Sequence, residues 1–363
     1  MTPFASSVPL TLGVEEELMI LDPETLDQVP AVARILTRAG ATEHGLLKTE
    51  LFASIVETNT HACAGPVEAA AALPQLRRAA EAAARAEGLR LAAAATHPFA
   101  RPVDQSIVQE ERYTTFAESG GITVRRQGVQ GLHVHVGMPG PEQCWECLEA
   151  ILPWLPVVLA MSANSPWLGG ELTGMVSNRA SILAELPRGG MPPAFSSYAE
   201  WEAWVDRLVA LEVAEDETRI WWDVRPHPRF GTLEIRVADQ PTDVSLSAAF
   251  AALLQSLCAT ALAGELPGAV RLGDRGRADY LQNRFAAAKG GPRALLLHPD
   301  GMRAATAAEL GRELIERVHP AARELGGEDL IARIDPGTCE AELQSGFESP
   351  HECAADLVAR SLT

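Results

Sequence analysis

The stretch TLGVEEELMI, Thr11–Ile20, places three consecutive glutamates inside an otherwise apolar run. In a β-strand successive side chains point to opposite faces, so Glu15 and Glu17 share one face and Glu16 lies on the other. Two carboxylates about 7 Å apart on one face repel each other, and burying them without a cation costs free energy. A solvent-exposed sheet edge explains the pair, and so does a hard divalent cation bound by carboxylate oxygens. Glu16 needs a partner of its own, which we expect to be an arginine or a helix N-terminus.

Three further segments repeat this alternation of polar and aliphatic side chains. One face of each predicted strand carries carboxylate, amide, imidazole or guanidinium groups: Glu57 and Asn59 in KTELFASIVETNT (48–60), His133 and His135 in GLHVHVG (131–137), and Glu234 and Arg236 in GTLEIRVAD (231–239). The first of these segments also holds Glu50. A single pair of this kind is more often ordinary packing, but four strands with the same pattern are not expected by coincidence. The alternation predicts a sheet whose aliphatic face packs under helices and whose polar face lines a cavity rich in acidic ligands.

Short apolar runs and longer amphipathic stretches alternate through the first 240 residues, and the remainder shows mainly the helical pattern. The strand pattern occurs at residues 10–21, 51–59, 89–95, 122–127, 131–137 and 232–238. The helical pattern occurs at residues 65–88, 142–161, 198–218, 243–263, 274–288, 306–325 and 351–361.

The composition argues against several classes of function. The net charge is −18 and none of the 30 basic residues form a block, so a nucleic-acid partner is not expected. No apolar run approaches the roughly 20 residues that cross a bilayer, and the N-terminus lacks a secretory pattern, so we expect a cytoplasmic protein without a membrane partner. Cys144 and Cys147 form a close pair, which is either a weak zinc or redox signal or two packed thiols on a helix.

Carboxylates combined with histidines and arginines are typical of enzymes that use Mg²⁺ and a nucleoside triphosphate, because metal ions and arginines neutralise the charge on a transferred phosphoryl group. The sequence has no GxxxxGK[ST] loop and no GxGxxG segment followed by a helix. It also has no GxSxG nucleophile turn. Metal ions and arginines would therefore have to bind the phosphates.

Several long segments resemble, in order, the signature blocks of a known family. They are LGVEEELMILDPET (12–25), KTELFASIVETNT, ATHPFA (95–100), GLHVHVG, MSANSPWLGG (161–170) and WWDVRPHPRFGTLEIRVADQPT (221–242). The sequence is similar to the carboxylate–amine ligases known as glutamate–cysteine ligase type 2. The resemblance runs from about Thr11 to Thr242 and continues more weakly through LQNRFAAAKGG and GTCEAELQ.

The resemblance implies an α+β protein with a glutamine synthetase-like catalytic fold, in which a curved, mainly antiparallel sheet forms a funnel with helices on its outer face. It implies one catalytic domain over residues 1–363, with a sheet-rich part at about 8–242 and a helical part at about 243–363. Such enzymes use ATP to phosphorylate a carboxylate, typically the γ-carboxylate of glutamate, and an amine such as that of cysteine then displaces phosphate. The partners would be small-molecule substrates, and a homo-oligomer is left open.

The family's roles carry over residue by residue. Two or three Mg²⁺ or Mn²⁺ ions would be held by Glu15, Glu17, Glu50, Glu57, Glu234 and one of His133 and His135, of which His133 is preferred because it leads its motif. Arg236 would contact the nucleotide and stabilise the transferred phosphoryl group. Arg225 and Arg179 would bind the substrate carboxylate or phosphate, or else form ordinary ion pairs. Asn164 and Ser165 would line the nucleotide site, or else cap a turn before Pro166.

One segment departs from the family pattern. In ELTGMVSNR (171–179) Leu172 is inserted between Glu171 and Thr173, and Met175 replaces an aromatic residue. We expect this segment to touch substrate, so the ligase could join a different carboxylate and amine in a specialised pathway. A third possibility is a non-catalytic nucleotide or metal binder, although a binder has no need for Arg236.

Overall fold

A computed structural model describes residues 2–266 and 273–362. Its strands are β1 (Leu12–Leu21), β2 (Gly45–Thr49), β3 (Ile55–Thr60), β4 (Arg90–Ala92), β5 (Leu132–Gly137), β6 (Trp167–Leu168), β7 (Glu171–Leu172), β8 (Gly189–Gly190), β9 (Trp221–Trp222), β10 (Val224–His227), β11 (Thr232–Ile235), β12 (Leu295–Leu297) and β13 (Ala304–Thr306). Seven of them form one sheet in the order β10-β11-β5-β1-β3-β2, with β4 also paired to β1. Every pair in this sheet is antiparallel.

Helices account for most of the remaining ordered structure. They are α1 (Val32–Ala39), α2 (Pro66–Ala86), α3 (Glu111–Arg125), α4 (Pro141–Ile151), α5 (Leu155–Ser162), α6 (Asn178–Leu183), α7 (Tyr198–Ala210), α8 (Val244–Leu262), α9 (Asp274–Gly290), α10 (Ala307–Leu325), α11 (Glu328–Ile331), α12 (Glu340–Gln344) and α13 (Pro350–Arg360). Six of the seven predicted helices have a single counterpart, with ends displaced by up to eight residues. The displacement is largest for α7, which ends at Ala210 rather than 218.

The aliphatic face of the main sheet forms the central hydrophobic core. Val14, Val134 and Ile235 point into this core from β1, β5 and β11. Helices α2, α4 and α8 cover that face of the sheet, and α10 packs against the outer side of α8. Removing this much aliphatic surface from water supplies the main driving force for folding. The polar side chains of these strands lie on the opposite face of the sheet.

Two sequence expectations fail for identifiable physical reasons. Residues 122–127 are not a strand, because the segment belongs largely to α3, where Ile122 is 58% exposed and Val124 is buried as on one side of a helix. The predicted helix at 142–161 is interrupted by a 3-10 turn at Leu152–Trp154. Pro153 lies in that turn and has no backbone N–H to continue the hydrogen-bonding pattern of α4.

Strand boundaries near the polar face also differ from expectation. Strand β3 begins only at Ile55, and Glu50 lies just beyond the end of β2. Strand β10 was not predicted, because Pro226 lies in its middle. The strand tolerates a proline because it lies at the edge of the sheet, where one side needs no ladder hydrogen bonds.

Two helical stretches are long and apolar enough to cross a bilayer by length and composition, at Pro141–Ser162 and Val244–Leu262. The expectation that no apolar run approaches this length is therefore wrong. In both stretches the most apolar window is mostly buried inside the protein, at 89% and 78%. Core helices of soluble proteins have the same property, and α4, in the first stretch, and α8 cover the aliphatic face of the sheet.

Candidate metal and phosphate site

The register of the main sheet brings the polar residues of four strands together. Glu15 lies opposite His133 on β5 and opposite Asn59 on β3, and Glu17 lies opposite Glu57. Residues directly opposite each other in an antiparallel pair project from the same face. The alternation read from the sequence therefore produces one continuous polar face.

A first cluster combines Glu15, His133 and Glu234, whose ligand atoms all lie within 4.8 Å of one another. Nδ1 of His133 is 3.2 Å from Oε2 of Glu15. Burial, reinforced by the positive charge of Arg236, lowers the pKa of His133 to about 4. The imidazole is therefore neutral at pH 7, which is the form that binds metal ions.

A second cluster combines Glu17, Glu50 and Glu57, again with ligand atoms within 4.8 Å of one another. Burial and the neighbouring charge of Glu50 raise the pKa of Glu17 to about 8. Burial and the other carboxylates also raise the pKa of Glu57 well above its usual value. Buried carboxylates that oppose each other's ionisation in this way fit a bound cation, and an all-oxygen set suits Mg²⁺ or Mn²⁺. The donor sets of both clusters thus fit the divalent ions that the sequence pattern predicts.

His135 lies beside the first cluster but is not one of its three residues. Its Nε2 is 3.6 Å from Oε1 of Glu15, and its Nδ1 is 2.9 Å from the hydroxyl of Thr232. Its ring also meets the ring of His227 edge-on at 5.2 Å. Of the two histidines that could bind metal, His133 is the better placed.

Glu234 is held between two arginines. Arg225 donates from Nε at 2.7 Å to one carboxylate oxygen, and Arg236 donates to the other. Burial alone would raise the pKa of Glu234, but these two guanidinium groups lower it well below its usual value. Nη1 of Arg225 donates to the carbonyls of Thr218 and Ile220. These bonds fix the guanidinium group, so Arg225 positions Glu234. Arg236 makes no other hydrogen bond from its guanidinium group within residues 2–266 and 273–362, which leaves donors for a ligand.

The guanidinium group of Arg179 lies against Gly131, the residue just before β5. A Cβ atom at Gly131 would lie 2.2 Å from Nη2 of Arg179, so any side chain there would force the guanidinium group to move. Nη2 donates to the carbonyl of Arg236 at 2.8 Å, while Nε has no partner in the part of the chain that the structure describes. The backbone N–H of Gly131 donates to Glu17 at 2.7 Å. Arg179 thus lies beside the second cluster.

Asn164 and Ser165 are not brought to the polar face. Both are fully buried. The amide of Asn164 donates to the carbonyl of Gln240 and to Thr242, and the hydroxyl of Ser165 donates to Asp239 at 2.7 Å. Their hydrogen bonds fix the chain after β11, so the nucleotide contact expected of them has no counterpart in the geometry.

A cavity of about 570 Å³ opens beside the first cluster. Besides Glu15 and Asn59, it is lined by Lys48, Arg229 and Phe230, which the sequence analysis did not single out. Lys48 and Arg229 do not belong to any periodic pattern in the sequence, although Arg229 and Phe230 lie inside a segment that resembles a signature block of the family. Phe230 is 48% exposed, and both amide atoms of Asn59 lack a hydrogen-bond partner among the described residues. The cavity therefore offers two cations, an aromatic ring and an unpaired amide to a ligand.

A second cavity, of about 860 Å³, is larger but contains none of the predicted ligands. Trp221 and Phe116 stack in its wall with ring centroids 4.7 Å apart. Arg188 lies over the ring of Trp221, and Arg219 lies over the ring of Phe116. Size alone thus does not identify the chemical site, which the carboxylate clusters mark instead.

The remaining glutamate of the opening stretch has the predicted kind of partner. Glu16 projects from the aliphatic face and is fully buried, with Arg77 of α2 donating to both of its oxygens at 2.6 and 3.0 Å. Gln240 and Ser247 donate to the same carboxylate. Arg77 also donates to the carbonyl of Ser361 near the C-terminus. The expectation of an arginine partner is confirmed.

The six cysteines lie apart from these clusters. All six are buried and none forms a disulfide. Cys144 and Cys147 belong to the core around α4, and burial raises the pKa of the Cys144 thiol well above its usual value. These two residues are packed thiols.

Comparison with known proteins identifies the family. A profile of the Glutamate-cysteine ligase family 2 (GCS2) matches residues 11–346. A Rubrobacter xylanophilus protein, provisionally named glutamate–cysteine ligase 2-3, is 39% identical over 348 residues, which cover 96% of this chain and 90% of the relative.

Solved structures with low sequence identity share the fold. A glutamate–cysteine ligase from Francisella tularensis in complex with AMP superposes with a TM-score of 0.72 at 13% identity, covering 99% of this chain and 89% of the other. A bifunctional glutathione synthetase from Pasteurella multocida gives a TM-score of 0.67 at 13% identity, covering 98% and 52%. These likenesses confirm the predicted fold class, with its mainly antiparallel sheet and packed helices. The chain therefore belongs to glutamate–cysteine ligase family 2, whose members are ATP-dependent ligases that form carbon–nitrogen bonds.

Proposed function

We propose that the protein joins a carboxylate, most simply the γ-carboxylate of glutamate, to an amine such as that of cysteine. A carboxylate oxygen attacks the γ-phosphorus of ATP and ADP leaves. The amine nitrogen then attacks the acyl carbon and phosphate leaves with the oxygen that carried it. The observation that supports this proposal most strongly is the pair of carboxylate clusters on one sheet face, with Arg236 beside them.

Each polar residue of the site has a definite task in this scheme. Divalent cations held by the two clusters would neutralise phosphate oxygens and align the triphosphate. Arg236 directs its free donors toward the phosphoryl group, and Arg225 holds Glu234 in place. The unpaired Nε of Arg179 supports a role for this residue in binding a substrate carboxylate or a phosphate oxygen. Preorganised donors of this kind are effective because they need no rearrangement during the reaction.

The cavity lined by Lys48, Arg229 and Phe230 is the part of the site that we propose takes ATP. Its two cations suit the phosphates, and the exposed ring of Phe230 suits a stacked base. The ring already stacks on His227 at 4.4 Å, which fixes its orientation. An AMP complex is known for the structural relative from Francisella tularensis, which supports nucleotide binding in this fold.

The whole chain acts as one catalytic domain in this proposal, with small-molecule substrates. The strands between Leu12 and Ile235 carry most of the proposed ligands. The helical part after Asp243 packs against the aliphatic face of the sheet through α8. Six buried free thiols agree with a reducing compartment, so a cytoplasmic location is part of the proposal.

A second candidate keeps the chemistry and changes the substrates. It rests on the segment around Leu172 and Met175, which departs from the family pattern. Leu172 lies in the short β6–β7 hairpin and is 46% exposed, and Ser177, at the end of the segment, caps the helix that carries Arg179. A change here therefore alters the approach to a residue that we propose binds substrate.

The test is release of ADP with Mg²⁺, glutamate and a panel of amines. We expect ADP and an amide in equal amounts with at least one amine, and turnover lost in Glu15→Gln. The matched control is Glu24→Gln, the same chemical change in an exposed turn after β1, which should retain wild-type turnover. ATP binding without turnover on any amino acid pair would refute the ligase proposal, and full activity in Glu15→Gln would refute the metal role.

A further inference from the structure

A small, partly open cavity of about 20 Å³ adjoins the second carboxylate cluster. Glu17 and Glu50 line it together with Gln127 and Gln130. A volume of this size holds one water molecule or one monatomic ion and is too small for an organic substrate. The occupant of this cavity is therefore either a water molecule or a monatomic ion.

The amide of Gln127 has a fixed orientation. Its Nε2 donates to the carbonyls of Thr123 and Ile182 at 3.1 and 3.0 Å. Only the amide nitrogen can donate to two carbonyls, so the other amide atom is the oxygen. That oxygen is shielded from solvent and has no hydrogen-bond partner within the described ranges.

Gln130, which lines the same cavity, carries a second buried amide oxygen. The residue is 1% exposed and its Oε1 also lacks a partner in the described part of the chain. Its backbone is held on both sides, because its N–H donates to Ala95 and its carbonyl accepts from Gln240. The side chain therefore starts from a fixed position next to Gly131, whose N–H holds Glu17.

Unpaired buried amide oxygens are costly, and two at one cavity call for a common partner. The cavity walls supply acceptors from Glu17, Glu50, Gln127 and Gln130. A water molecule has two hydrogens and cannot satisfy four acceptors at once, whereas a divalent cation binds six or more oxygens. A cation also relieves the repulsion between the carboxylates.

We propose that Gln127 and Gln130 are neutral amide-oxygen ligands of a divalent cation that Glu17 and Glu50 also bind. This inference rests on the proposed function, which gives the second cluster to a metal ion. The two amides add coordination without adding negative charge. They lie outside every strand, on the segment that joins α3 to β5, and so link that segment to the metal site.

The experiment is a titration with Mn²⁺ followed by electron paramagnetic resonance of the free ion, without nucleotide, on the wild type, Gln127→Met and Gln130→Met. We expect each variant to bind one Mn²⁺ about tenfold more weakly than the wild type does. Gln255→Met is the matched control, because Gln255 is also fully buried with an unpaired Oε1 but donates to Leu10 far from the clusters. Its Mn²⁺ affinity should be that of the wild type.

A further variant distinguishes the loss of the amide oxygen from a loss of folding. Gln127→Glu loses the same donors to Thr123 and Ile182 as Gln127→Met does, but it retains an oxygen and adds a charge. It should bind Mn²⁺ at least as tightly as the wild type, while thermal unfolding shows that both variants are folded.

Three outcomes decide the question. Unchanged Mn²⁺ affinity in both methionine variants would overturn the inference, as would equal weakening in Gln127→Met and Gln127→Glu. A wild type that releases ADP with substrates but binds no Mn²⁺ would overturn it and leave the ligase proposal standing. Weakened binding in the variants of a protein that joins no substrates would support the amide ligands and refute the ligase proposal.

Discussion

The opposite faces of one strand should respond differently to the same chemical change. Glu16→Gln alters the aliphatic face of β1, and Glu15→Gln alters the polar face one residue away. Glu16 accepts hydrogen bonds from Arg77, Gln240 and Ser247, and every one of these partners is buried. We expect Glu16→Gln to lower stability and Glu15→Gln to abolish turnover.

The size of the stability loss follows from the Glu16–Arg77 pair. A glutamine places an N–H group against the guanidinium donors and leaves the charge of Arg77 without a carboxylate. Removing one partner of a buried ion pair costs about 3–5 kcal/mol. With an unfolding entropy of ~0.76 kcal/mol/K, from ~2.1 cal/mol/K per residue over the 363 residues, Tm should fall by about 4–7 °C.

The assay combines thermal and urea unfolding with ADP release per folded molecule. Glu15→Gln should lower the Tm less than Glu16→Gln does in metal-free buffer, because it relieves the repulsion between Glu15 and Glu57 and retains a group that can hydrogen-bond His133. Glu16→Gln should have near-normal turnover at 20 °C and a lower unfolding midpoint. If Glu16→Gln lost turnover without losing stability, or Glu15→Gln lost stability and remained active, the assignment of the two faces would be refuted.

Three further predictions concern other parts of the site and its surroundings. Gly131→Ala should displace the guanidinium group of Arg179, lowering kcat/KM by about tenfold or more, whereas unchanged kinetics would show that Arg179 is not used there. Arg236→Lys keeps a charge near Glu234 but loses the planar fork, so kcat should fall by about 10²–10³ with little change in the KM for ATP; wild-type kcat would contradict this. Burial lowers the pKa of His97 from 6.5 to about 4. The neutral imidazole therefore contributes about 3 kcal/mol to the free energy of unfolding, from the difference of 2.5 pH units. This contribution is present above pH 6.5 and is lost as the pH falls toward 4. In urea unfolding, the free energy of unfolding of His97→Gln should fall less steeply with decreasing pH over that interval than that of the wild type. An equal pH dependence in the two proteins would contradict the role given to His97.

Period-two alternation correctly predicted the polar face. The three glutamates were divided between two faces by geometry alone, and the arginine partner of Glu16 followed from the cost of burying a charge. The identity of Arg77 did not follow, because it lies 61 residues away in an alanine-rich helix and meets Glu16 only in the folded chain. Strand alternation thus gives the composition of each face, while partners from other elements depend on tertiary packing.

Other residues carry no local signal of their position. Asn164 and Ser165 look like site residues because they lie in a family-like segment, yet their hydrogen bonds hold Asp239 and Gln240. Gln127 lies in a segment whose apolar pattern was interpreted as a strand, and only its place after α3 brings it near Glu17. A six-residue apolar pattern is too short to distinguish helix from strand.

In the proposed reaction a carboxylate becomes a phosphorylated intermediate before it meets the amine. The most direct measurement supplies the carboxylate substrate with ¹⁸O in the reacting group, together with ATP, Mg²⁺ and the productive amine, and follows phosphate and product by mass spectrometry. With both carboxylate oxygens labelled, one ¹⁸O atom should appear in each phosphate released, and the product mass should equal that of the two substrates less one H₂¹⁸O. Phosphate without ¹⁸O, released alongside the same amide, would contradict the proposed route.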